Sequence, residues 1–188
     1  MKYMSILGFI ATLFGVGCKP AAPVATSPPA GAEAMRELRM MMLTTPASKV
    51  GIQRSETYPK VFGVVMELPI SSGHTATVVS MCDGHASLYT TSTFGVLGGI
   101  GHESVRTASQ DFVKLAQSHY DTAMATTEFP YPVSDHVRFY LVGFDGVRVI
   151  DSEIDLVQKR TDRLSGMWTA GQRVLTELRL VAERSGKQ

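Results

Sequence analysis

Two spacings of apolar residues alternate along the chain. In AEAMRELRMMML (residues 32–43), Ala34, Leu38, Met41 and Met42 recur at helical spacing. Glu33, Arg36, Glu37 and Arg39 fall largely on the opposite side, so the segment predicts an amphipathic helix ending before Pro46. KVFGVVMELPI (60–70) predicts a mostly apolar strand stopped by Pro69. HTATVVSMC (74–82) and ASLYTTS (86–92) predict two more, joined through Asp83-Gly84. A second Asp-Gly pair, Asp145-Gly146, joins HVRFYLVGF (136–144) to VRVIDSEI (147–154). Such pairs accept the positive φ that a tight hairpin needs. Helical spacing returns with Val105, Ala108, Phe112, Leu115 and Ala116, and again with Met167, Gly171, Val174, Leu178 and Val181.

The order is therefore helix, three strands, helix, two strands, helix. Clustered hairpins with intervening helices predict an α+β fold: a five-stranded, mainly antiparallel sheet with two or three packed helices, forming one domain over residues 32–188. This order is loosely similar to profilin-like and roadblock-like domains. It is an analogy of architecture that implies nothing about function.

The N-terminus has another character. MKY carries a single lysine, MSILGFIATLFGVG is an uncharged apolar run, and Cys18 follows Gly15, Val16 and Gly17. The stretch resembles a bacterial lipoprotein signal, with Gly15 where that motif usually carries Leu. The resemblance implies a signal peptide over 1–17 and lipidation of Cys18 as the first mature residue. The apolar run is shorter than the ~20 residues that span a bilayer. Residues 18–31 then form a tether: KPAAPVATSPPAGA has four prolines, one charge and no apolar period, and so buries too little to offset the entropy of ordering. The implied location is the cell envelope, anchored to the membrane through the lipid on Cys18. In a Gram-negative cell this is the periplasmic face of the outer membrane.

Composition narrows the function classes. The 188 residues are 44% hydrophobic and 19% charged, with a formal net charge of +1, which suits one hydrophobic core and lacks the basic field of a nucleic-acid binder. With Cys18 acylated, Cys82 is left as a single thiol closing an apolar strand, which reads as a small buried hydrophobe.

The candidate chemistry centres on TSTFGVLGGIGHESVR (91–106). Gly99-Ile100-Gly101 lacks the third glycine of a dinucleotide fingerprint, and no Gly-Lys-Ser/Thr follows, so neither phosphate cradle is present. Gly98, Gly99 and Gly101, entering a helix, still suit anion contact through free backbone N–H groups, although Glu103 already supplies a negative charge there. His74 and His85 flank one strand and stand almost 30 Å apart at ~3.3 Å per residue. A chain that runs up the second strand and down the third brings the glycine loop back to the His74 end. On that reading Ser71, Ser72, His74, Ser92, Thr93, His102 and Glu103 face one another, with Ser72, His74, His102 and Glu103 as candidate nucleophile, bases and orienting carboxylate. No zinc-ligand spacing occurs and no cofactor is expected. EFPYPVSDH (128–136) presents Phe129 and Tyr131 either to a partner or to the sheet, and Trp168 locks the last helix to the core.

The expectation is a non-enzymatic, envelope-anchored binding or accessory module for another envelope protein. The alternative is a small-molecule, anion-binding or hydrolytic domain working at the glycine loop and the His74/His102 end of the sheet.

Overall fold

A computed structural model describes residues 30–92, 95–97 and 99–185. Cys18, the signal segment and most of the tether lie outside them, as do Thr93, Phe94 and Gly98. Helix α1 (Ala30–Thr44) leads into strand β1 (Val61–Ile70), followed by β2 (His74–Met81), β3 (Ala86–Thr90) and β4 (Gly95–Val96). Helix α2 (Glu103–Ala116) is followed by β5 (Met124–Ala125), β6 (His136–Gly143) and β7 (Gly146–Glu153). Helices α3 (Ile154–Gln158) and α4 (Ser165–Ser185) close the chain. Ala30 and Gly31, read above as tether, already belong to α1.

The fold is α+β, built on an open antiparallel sheet in the order β4-β3-β2-β1-β6-β7-β5. Among the described residues the sheet has seven strands, not the five expected, and there are four helices. The additions at the edges are pairs of residues, Gly95–Val96 beside β3 and Met124–Ala125 beside β7, too short to carry an alternating pattern. Both Asp-Gly turns form: Gly84 has φ +96° and Gly146 has φ +120°, and the Asp83 carboxylate accepts from the His85 N–H at 3.0 Å.

The sheet is covered on both faces. On one, α2 and α4 bury Val105, Phe112, Met167, Val174 and Leu178 against Val64, Met66, Phe139 and Leu141, with Phe112 edge-on to Phe139. Gly171 lets α4 approach, since a Cβ there would stand 2.3 Å from Met66 Sδ. On the other face, α1 brings Leu43 and partly buried Met35, Leu38 and Met42 onto Phe62, Val65, Val79, Tyr89 and Tyr140. The helical stripe of α1 is rotated from the expected one. Met41 is 51% exposed while Arg39 is buried, because Arg39 finds a counter-charge on the sheet that hydropathy does not register.

Candidate functional site

On the α1 face one row of residues crosses five strands. Tyr89 of β3 pairs with Thr77 of β2, Thr77 with Glu67 of β1, Glu67 with Arg138 of β6, and Arg138 with Asp151 of β7. Side chains on one face of neighbouring strands stand about 5 Å apart, so the row is a continuous polar band between apolar rows. Glu67 lies at its centre, fully buried. A carboxylate there costs several kcal/mol unless it is paired and hydrogen-bonded.

Arg39 supplies the pairing. Its Nε and Nη2 donate to the two oxygens of Glu67, the second at 2.9 Å, and the Thr77 hydroxyl donates to Glu67 Oε1 at 3.1 Å. Burial works against the charged guanidinium, but the hydrogen bond to and the charge of Glu67 outweigh it and hold the Arg39 pKa above its ordinary value. With three donors on its two oxygens, Glu67 anchors α1 to the sheet.

The segment carrying Phe129, Pro130 and Tyr131 is strapped across this pair. Proline has no N–H to give a sheet, so the strap offers carbonyls instead. Arg39 Nη2 donates to the Phe129 carbonyl at 2.8 Å, the Tyr140 hydroxyl donates to that of Pro130, and Arg138 Nη1 donates to those of Pro130 and Tyr131 at 3.2 and 3.3 Å. Phe129 packs edge-on to Tyr140, and the Arg39 guanidinium lies 4.2 Å from the centre of the Tyr131 ring. Both aromatics of the EFPYPVSDH segment thus pack onto the protein itself.

A pocket of about 290 Å³ opens beside the ion pair. Met35, Arg36 and Arg39 of α1, Thr77 of β2, Tyr89 of β3 and Tyr131 of the strap are among the residues that line it. On the far side of the strap a second concavity, about 260 Å³, is lined by Met124, Glu128, Arg138, Val149 and Asp151 among others. Arg138 Nε is buried there without a hydrogen-bond partner among the described residues.

The glycine-loop candidates lie elsewhere, and the structure does not bring them together. Strand β4 runs antiparallel to β3, with Leu88 opposite Val96 and Tyr89 opposite Gly95, so the chain reverses once more than expected. It delivers the start of α2 to the Asp83-Gly84 end of the sheet: a Cβ at Gly84 would stand 3.1 Å from Arg106 Cβ. One turn further on, the Ser109 hydroxyl accepts from the Met81 N–H at 3.0 Å and lies within donating distance of the His85 carbonyl at 2.9 Å. His74 begins β2 at the opposite end, roughly 25 Å away for eight residues at ~3.3 Å each. The expected His74/His102 end is corrected accordingly. His74 sits with Nδ1 3.2 Å from the Thr91 hydroxyl, whereas His102 and Glu103 are exposed at the entry to α2.

Of the glycines, Gly99 is buried, and a Cβ on it would stand 2.6 Å from Val105 Cγ1 and 2.8 Å from Leu178 Cδ2. Its role is close packing. A Cβ at Gly101 would meet nothing within 4 Å, and Gly98 and the Ser72 side chain lie outside the described residues. The Arg106 guanidinium ties the turn down by donating to the Ile100 carbonyl at 2.8 Å.

Cys82 is a free, half-buried thiol whose pKa is pushed up to about 11, first by burial and then by the Asp83 carboxylate. Among the described residues, no group of three His, Cys, Asp or Glu side chains converges to hold a metal ion, and no helix is long and apolar enough to cross a membrane. Sequence reasoning missed Arg39, Glu67 and the pocket beside them. The available signal was Glu67 itself, one charge inside the apolar run VFGVVMELPI, which demands a buried partner. Compared with known proteins, the chain matches no family model, no curated protein and no solved structure.

Proposed function

We propose that this chain is an exported, lipid-anchored module of a bacterial envelope that binds or assists another envelope protein without catalysing a reaction. The N-terminal apolar run ending at Cys18 and the Pro/Ala tether support the export and anchoring parts of the reading. The observation that carries it is the lock between α1 and the sheet. The first element after the tether is pinned through Arg39 to Glu67 of the central strand, so the tether joins the domain at one fixed point, while the tether itself leaves the domain free to turn toward a neighbour. The tether from Cys18 to Ala30 spans up to roughly 37 Å at ~3.1 Å per residue when extended, enough to let the domain meet a neighbour close to the membrane surface.

The test is metabolic labelling with radioactive palmitate, followed by membrane fractionation. The wild-type chain should carry label and sediment with membranes, and Cys18→Ala should lose both. Label that persists in Cys18→Ala overturns the anchor. Failure of the wild-type chain to crosslink to any envelope protein in cells overturns the accessory role.

A further inference from the structure

We propose that the pocket between the first half of α1 and strands β2 and β3 binds a small carboxylate with a flat apolar body, the carboxylate resting on Arg36. The inference goes beyond the envelope role and does not depend on the anchor at Cys18.

Charge comes first. Among the described residues, two arginines line the pocket and no carboxylate does. The charge of Arg39 is committed to Glu67 through two hydrogen bonds. Arg36 has no ion-pair partner among the described residues. The acidic residues beside it on α1, Glu33 and Glu37, are exposed and not part of the lining. One uncompensated guanidinium fits a monoanion. Its planar fork matches a carboxylate in two parallel hydrogen bonds, whereas a phosphate dianion would leave one charge unbalanced.

Shape sets the body of the ligand. Tyr89 and Tyr131 supply aromatic walls, and the Met35 thioether, unbranched and polarisable, adapts to a ring laid between them. A volume of about 290 Å³ lies at the small end of ligand sites and suits one or two fused rings. The rim is held still by the strap, because Tyr131 is fixed under Arg39. The site is therefore formed before the ligand arrives, which limits the ordering cost of binding.

The experiment is a titration of the ¹⁵N-labelled full chain in neutral detergent micelles with benzoate, its neutral analogue benzamide and the cation benzylamine, read by backbone amide shifts. Benzoate should move the signals of Ala32, Thr90 and Thr91 and bind about ten-fold more tightly than benzamide, the usual weight of a charge-assisted hydrogen bond; benzylamine should bind more weakly still. Arg36→Gln, an exposed helix position whose thermal unfolding should match wild type, should bind benzoate and benzamide alike, and Arg36→Lys should keep part of the preference. Equal binding of benzoate and benzamide by the wild type, a preference that survives Arg36→Gln, shifts confined to the α2 and α4 face, or no binding of benzoate overturns the proposal.

Discussion

Arg39 and Glu67, 28 residues apart in sequence, meet inside the protein with side chains 4% and 0% exposed, and their contact joins the first helix to the central strand. Removing one partner leaves the other charged, buried and short of hydrogen bonds. Arg39→Ala or Glu67→Ala should each lower the unfolding free energy by about 3–5 kcal/mol in urea titrations. The double variant Arg39→Met with Glu67→Leu should lie much closer to wild type, because neither charge is then stranded. Single variants within about 1 kcal/mol of wild type would show that water reaches the pair.

The glycine turn separates packing from conformational freedom. Gly99→Ala places a methyl group against Val105 and Leu178 and should cost roughly 1–3 kcal/mol, the usual range for overpacking. Gly101→Ala meets open space and should stay within about 0.5 kcal/mol of wild type. Equal costs at the two positions would contradict a packing role for Gly99.

Gly84 and Arg106 define the junction that keeps His102 away from His74. Gly84→Ala suffers twice, from φ +96° and from a Cβ 3.1 Å from the Arg106 side chain. It should be destabilised by about 1–3 kcal/mol. Truncating Arg106→Ala in the same chain should recover only part of that, since the backbone strain stays. A thermal-unfolding double-mutant cycle measures the coupling, and strict additivity would place the two residues out of contact.

Cys82 should alkylate slowly with iodoacetamide at pH 8, and its rate should climb until about pH 11, where the thiol titrates. The sign for stability follows from the same shift. The unfolded thiol, near its ordinary 9.0, loses its proton before the folded one, so the contribution is complete below pH 9 and is lost as pH rises from there through about 11. Unfolding curves of wild type and Cys82→Ala should therefore converge or cross over that interval. A thiol that reacts fully at pH 7 would contradict the burial.

Local pattern was enough for a large part of the fold. The apolar runs of β1, β2 and β6, the two Asp-Gly hairpins, and the stripe Met167, Gly171, Val174, Leu178 follow from hydropathy and turn chemistry that each segment carries within itself. Tertiary structure alone decided the rest. Strand β4 pairs through two residues, too few for any period, yet it reverses the chain and sends His102 to the end of the sheet away from His74. Arg39 looks like one more polar residue on a solvated helix face until β1 presents Glu67 beneath it. A charge can be buried only where its counter-charge, hydrogen-bond donors and aromatic cover converge, and that convergence draws on residues 39, 67, 77 and 131, which no window along the chain contains.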